Sequence, residues 1–320
     1  MDITAPPRPT ATTASYPLRR SRRPLPARGV RTLISDLELS RGRTRVWYGV
    51  ALTLVTVGFA LVFLFPVYWM VSSAVKSPAE FALTPPTFVP RTFEPETYAR
   101  AWTEMRIARY FANTVGYALG GWLIQLVVDV AVAYALSKLR PVLGRLVLGM
   151  MLTSLMLPAA ALLVPAYLTI TDVPIVGVNL LNTPWALWLP AAANAFNIYV
   201  LKRFFDQIPD DLLDAANLDG AGRLRMLWSV VLPLSRPVLG VVSIFAVIGM
   251  WKDFLWPLLV LQDPETQTLS VALSRLSNTS QVPPTQMIAG LVIASVPMIV
   301  IFLIFQRSII GGLSAGGMKG

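Results

Sequence analysis

A chain of 320 residues that is 55% hydrophobic and only 14% charged, with mean hydropathy +0.60, carries too little charge for a soluble domain and points to lipid as its solvent. It has no cysteine and no histidine, which excludes disulfides, thiolate chemistry, Cys/His zinc sites and Ser-His or Cys-His catalysis. The net charge of +10 would suggest nucleic acid in a soluble protein. Here the basic residues cluster at one end and between apolar runs, which is the pattern of membrane topology.

Residues 1–45 hold ten arginines, Arg8 to Arg45, against three acids. The segment is rich in Pro and Thr and has no apolar core, so it reads as a disordered basic cytoplasmic tail suited to rest on anionic lipid. Residues 46–320 read as one domain of six spans, each close to the roughly 20 apolar residues a bilayer requires. Span one, Val46 to Val75, has no charge. Span two lies between Arg109 and Lys138 and is broken only by Asp129. Span three falls between Arg145 and Asp172, and span four between Asp172 and Lys202. Span five runs from about Pro237 to Leu261 and contains Lys252 and Asp253. Span six lies between Arg275 and Arg307. Prolines inside them (Pro66, Pro158, Pro165, Pro190, Pro257 and Pro297) free backbone carbonyls that neighbours must re-satisfy, which implies a packed bundle.

Orientation follows from Lys and Arg. The tail and the basic stretch Lys138 to Arg145 place both termini in the cytoplasm and the 3–4 and 5–6 loops outside. The 1–2 loop, Lys76 to Arg109, is long, carries five basic residues and four acids, and obeys this rule less well. The expected fold is an all-α membrane protein of six transmembrane helices in the cell (plasma) membrane.

Between spans four and five lies a charged module at about residues 206–233, on the cytoplasmic side by this count. After Pro209, Asp210 or Asp211 can cap a helix whose first turns also hold Asp214, and Gly220 is placed to end it. A second helical segment runs to Leu232-Pro233, which bends into span five. The apolar face of this elbow is too small for a core and is explained as a surface that a partner reads. Asp214-Ala215-Ala216, three residues, Gly220, nine residues, Val230, one residue, Leu232-Pro233 resembles the EAA loop of ABC-importer permeases, with Asp for Glu and Val for Ile. "FANTV" (Phe111 to Val115), "WKDFLWPLLVL" (Trp251 to Leu261) and the tail "GGLSAGGMKG" extend the resemblance to the maltose-type branch that imports carbohydrates, from about Val46 to the end.

The resemblance implies a type I importer permease working with cytoplasmic ATPase subunits, a second permease (different or identical) and an extracytoplasmic solute-binding protein, with no nucleic acid. It makes Asp214, Ala215, Ala216, Asp219, Gly220, Leu232 and Pro233 the ATPase-coupling loop. No Gly-x-x-x-x-Gly-Lys-Ser/Thr occurs, so ATP is expected on the separate ATPase, with no cofactor, metal or catalytic residue on this chain. Charges inside spans are costly and should face protein or a wet cavity. Trp251, Lys252, Asp253 and Trp256 are therefore the candidate solute path, since aromatic faces beside hydrogen-bonding charge suit a sugar. Lys252 and Asp253 would lie about 100° apart on one helix, one facing the cavity and the other the neighbouring permease. Asp129 reads as an interhelical hydrogen bond. The same importer class with a polyol, glycerol-phosphate ester or polyamine as solute is the alternative. A secondary transporter would show paired halves, and an intramembrane enzyme would show convergent nucleophile and base; neither pattern is visible.

Overall fold

The structure, a computed structural model, describes residues 42–278 and 281–317; most of the basic tail and the last three residues lie outside them. Residues up to Phe63 and those from Leu64 onward form two compact units. The described part of the first unit is helical, the leading portion of α1 (Gly42–Ala74). Its side chains are apolar on every side: Trp47, Leu54 and Phe59 are exposed, and Phe59 and Phe63 stack one turn apart. A helix apolar all round that buries none of its most hydrophobic window needs lipid or another chain around it.

The second unit is helical, with no strand among the described residues. After α1 comes a short α2 (Pro78–Phe81), then α3 (Glu96–Glu104) and the long α4 (Ile107–Leu139), whose last turn from Ala135 is a π-turn. Next are α5 (Gly144–Ser154) and α6 (Ala159–Thr171), bent by 109° around Pro158. Two short helices follow, α7 (Trp185–Ala191) and α8 (Ala195–Phe205). The charged module predicted from the sequence folds as α9 (Asp210–Leu218) and α10 (Arg223–Leu234). α11 (Arg236–Lys252) turns away from α10 by 84°, and α12 (Leu255–Val260), α13 (Leu269–Ser277) and α14 (Pro284–Gly317) complete the chain.

Three helices, α1, α4 and α14, are long and apolar enough to cross a membrane by themselves, and five segments qualify if each bent pair is one span. The predicted fourth span is interrupted between α7 and α8, so neither piece meets that length. The break has a visible cause. Pro190 lies inside α7, and Asn194 begins α8 by accepting a hydrogen bond from the Asn197 N–H at 3.1 Å.

α4 is the centre of this unit, packing against α7, α8, α11 and α13. Its Val130, Ala133 and Tyr134 form a buried cluster with Ile198, Leu201 and Phe205 of α8 and Val238 and Val242 of α11. Closer to its start, Gly120 and Gly121 let α4 approach Trp188 and Met250 so nearly that a Cβ at either position would overlap those side chains. Small residues at such crossings are expected in lipid, where close packing and hydrogen bonds replace the hydrophobic drive between helices. A leucine at Gly120 would push α7 off α4.

Asp129 of α4 is 1% exposed, and its Oδ1 accepts the Asn194 N–H at 2.9 Å. The carboxylate thus satisfies the backbone freed at the α7–α8 break, which is the interhelical bond read from the sequence.

The 1–2 loop is built around two buried charges. Glu80 accepts from Thr87 Oγ1, from the N–H groups of Arg91 and Thr92, and from Thr92 Oγ1 at 2.6–2.8 Å. The Thr92 hydroxyl leads these donors in holding its pKa down at about 2. Lys76 donates to the Thr87 carbonyl and lies 4.6 Å from the Trp69 ring.

Candidate functional site

The first candidate region is a cavity of about 250 Å³ lined by Tyr117 of α4, Trp188 of α7, Met250 of α11, Asp253, Trp256 of α12 and Thr268. Its polar groups are largely engaged with the protein itself. The Tyr117 hydroxyl donates to the Thr266 carbonyl at 2.8 Å, Trp188 Nε1 to the Tyr117 carbonyl at 3.0 Å, and Trp256 Nε1 to the Ala186 carbonyl at 2.9 Å. Thr268 Oγ1 is 3.3 Å from Ser270 Oγ. Asp253 makes no side-chain ion pair among the described residues; only the backbone N–H groups of Phe254 and Trp256 bond it. A carboxylate has about four lone-pair directions, so Asp253 keeps acceptor capacity. The cavity therefore offers two indole rings and one carboxylate.

Of the four residues expected on the solute path, Asp253 and Trp256 line this cavity and Trp251 and Lys252 do not. Trp251 packs edge-on against Phe111 of α4, with centroids 5.6 Å apart. Lys252 is exposed at the last position of α11. The expectation that Lys252 and Asp253 share one helix is corrected. α11 ends at Lys252, and Asp253 is extended (φ −66°, ψ 127°) because Pro257, four residues on, has no N–H for the Asp253 carbonyl. Tyr117, Trp188 and Thr268 were missed. The Gly120-Gly121 pair, which requires a bulky partner across a close crossing, is the signal that could have found Trp188.

The second region is the α9–α10 elbow. α9 buries no residue, and Leu212, Leu218, Leu224 and Trp228 are exposed along the module, Leu218 at 89%. α9 ends in a Schellman motif: the Ala221 N–H reaches the Ala216 carbonyl and the Gly220 N–H reaches the Asn217 carbonyl, both at 2.9 Å, with Gly220 at φ +79°. Asp214, Ala215 and Asp219 are exposed, Ala216 is half-buried, and Asp214 has no ion-pair partner among the described residues.

Two expectations about the elbow are corrected. Asp210 and Asp211 do not cap α9, whose N-cap is Pro209; Asp210 bonds Lys138 instead, at 2.9 Å. The bend into α11 falls after Leu234 rather than at Leu232-Pro233, because Pro237 cannot bond the Pro233 carbonyl and so starts a new helix.

Beneath the elbow is a polar cleft of about 560 Å³, lined by Tyr134, Lys138, Asp210, Asp214, Asn217 and Arg223 among others. Lys138 Nζ donates to the Ile208 carbonyl at 2.8 Å as well as to Asp210, and Arg140 reaches the other Asp210 oxygen at 3.4 Å. The Lys138 hydrogen bond is the main reason the Asp210 carboxyl is held below its ordinary range. The Ser137 hydroxyl donates to Asp206 at 2.7 Å, and the Tyr134 hydroxyl to the Arg223 carbonyl at 2.9 Å.

Residues 108–313 match the family model described as binding-protein-dependent transport system inner membrane component. The chain is 29% identical over 265 residues to the diacetylchitobiose uptake system permease protein NgcG of Streptomyces coelicolor, covering 82% of this chain and 86% of that protein. It is 30% identical over 290 residues to the sulfoquinovosyl glycerol transport system permease protein SmoH of Agrobacterium fabrum, covering 90% and 100%. Its fold superposes with a TM-score of 0.74, at 24% identity, on a chain of a bacterial ABC transporter involved in import of the acidic polysaccharide alginate, covering 86% of this chain and 99% of that one.

Proposed function

Because the chain belongs to the family of inner membrane components of binding-protein-dependent transport systems, the permeases of ABC importers, we propose that its solute is a sugar or related polyhydroxylated molecule handed over by an external binding protein. The observation that carries this reading is the cavity in which Trp188 and Trp256 leave Asp253 as the acceptor with free capacity. Sugars present C–H faces that stack on indoles and vicinal hydroxyls that donate to a carboxylate. Uptake of a diacetylchitobiose and of a sulfoquinovosyl glycerol by systems of related chains agrees with this class.

In this reading the chain crosses the membrane six times, the α7–α8 pair being the fourth crossing, with both termini in the cytoplasm. ATP is hydrolysed on separate ATPase subunits, which receive α9 and the start of α10. The exposed Leu212 and Leu218 supply the docking surface, Asp214 the charge, Ala215 and Ala216 room for close approach, and Gly220 the turn. A second permease completes the pathway.

The test is whole-cell uptake of a panel of labelled mono-, di- and oligosaccharides. Cells lacking the chain should lose uptake of at least one sugar. Asp253→Leu should fail to restore it, while Asp253→Asn, which keeps one acceptor oxygen, should restore part of it. Unchanged uptake of every sugar in the deletion strain would overturn the solute class.

A further inference from the structure

We infer that α4 is the rod that links the solute cavity to the elbow, and that Lys138 is the positioning residue that fastens it there. The inference rests on the coupling role proposed above for α9 and α10. One continuous helix carries both ends of the link. Tyr117 lies on the cavity wall, and Gly120 and Gly121 seat α4 against Trp188 and Met250, which line the same cavity. Tyr134, Ser137 and Lys138 lie at its other end, about 30 Å from Tyr117 at 1.5 Å per residue.

The elbow meets α4 at its entry and its exit. At the entry, Lys138 holds the Ile208 carbonyl and the Asp210 carboxylate on either side of Pro209, and Ser137 holds Asp206. At the exit, Tyr134 holds the carbonyl of Arg223. α9, between them, has no fully buried residue, and its one apolar contact with the core is the half-buried Leu213, so the polar ties at its two ends carry most of the link. Lys138 is the strongest of these ties, since its side chain is 5% exposed and both its bonds are charge-assisted. Arg140, which shares Asp210, is 70% exposed and at 3.4 Å, and contributes little. The tie falls within the π-turn Ala135–Leu139 that ends α4, closed by the Arg140 N–H on the Ala135 carbonyl at 2.9 Å.

The test uses the assembled importer with its ATPase subunits and needs no knowledge of the solute. Ala191, on the cavity wall, is replaced by cysteine in this cysteine-free chain. Its labelling by a small maleimide is timed with ATP absent and with ATP plus vanadate. The two rates should differ in the parent. Adding Lys138→Met should bring their ratio to about one while the ATPase subunits still co-purify. The reversed pair Lys138→Glu with Asp210→Lys should restore a difference that Lys138→Glu alone lacks. A full difference in the Lys138→Met chain, or a reversed pair no better than the single variant, overturns the inference. Leu218→Asp separates the two claims. If it keeps its ATPase subunits, the coupling assignment itself fails; if it loses them while Lys138→Met responds normally, only the fastening fails.

Discussion

Replacing Gly220 once by alanine and once by asparagine separates backbone conformation from side-chain size at the end of α9. Gly220 sits at φ +79°, and a Cβ added there would meet nothing within 4 Å. Steric overlap therefore contributes nothing, and the whole penalty is that of placing an L-residue in the left-handed region, about 1–2 kcal/mol for alanine. Asparagine tolerates that region because its short amide bonds locally, so it should cost only a few tenths of that. α9 has nine residues, none buried, so little else holds its last turn. A penalty of about 1.4 kcal/mol shifts the closed-to-frayed ratio about tenfold. In proteoliposomes holding the complete importer, Gly220→Ala should lower ATP hydrolysis stimulated by the loaded binding protein several-fold, and Gly220→Asn should stay near the parent. Two outcomes would refute the reasoning. Equal activity of all three would mean the turn is not limiting. Equal loss in both variants would mean that the ATPase surface rejects any side chain here, whatever its backbone preference.

Asp129→Leu would remove the carboxylate that accepts the Asn194 N–H, a hydrogen bond to a charged group contributing about 1.5–3 kcal/mol, whereas Asp129→Asn keeps one oxygen; thermal unfolding in detergent should rank them parent, Asn, Leu, and indistinguishable variants would contradict the role given to Asp129. The Glu80 carboxylate, depressed to about 2, stabilises the 1–2 loop above the ordinary glutamate range, and that stabilisation is lost as pH falls through about 2. Protection of the Arg91 and Thr92 amides, corrected for intrinsic exchange, should persist at pH 4 and drop near pH 2; a drop already complete at pH 4 would reject the depressed value. For topology, an impermeant thiol reagent applied to intact cells should label Ala82→Cys and spare Val142→Cys; the reverse pattern would invert the orientation.

Much of this was legible because membrane sequences expose their spans as charge-free runs and their loops as charge. The elbow was visible as a charged interruption, and Gly220 as its stop, because a left-handed turn after a short helix selects glycine. Asp129 was legible because a lone carboxylate in lipid must find a donor. What the sequence did not reveal came from proline chemistry acting at a distance of four residues. Pro257 ends α11 at Lys252 and removes Asp253 from the helical register, and Pro237 sets the bend after Leu234. The break in the predicted fourth span was hidden for a related reason: Pro190 and the Asn194 cap divide an apolar run that hydropathy reads as continuous. Asp210 looked like a cap from its position, but its partner Lys138 is 72 residues away, a pairing no local pattern carries.

The central claim is that α9 and the start of α10 are the surface read by the ATPase, and single cysteines along the module test it most directly. Each is placed in this cysteine-free chain at Leu212, Leu213, Leu218 or Leu224, and a short bifunctional thiol reagent is applied to membranes holding the complete importer. The exposed positions Leu212, Leu218 and Leu224 should cross-link to the ATPase subunit, and the half-buried Leu213, which packs inward against the α4–α8 cluster, should not. Absence of any cross-link to the ATPase from the three exposed positions, in membranes that still take up the sugar, would contradict the account.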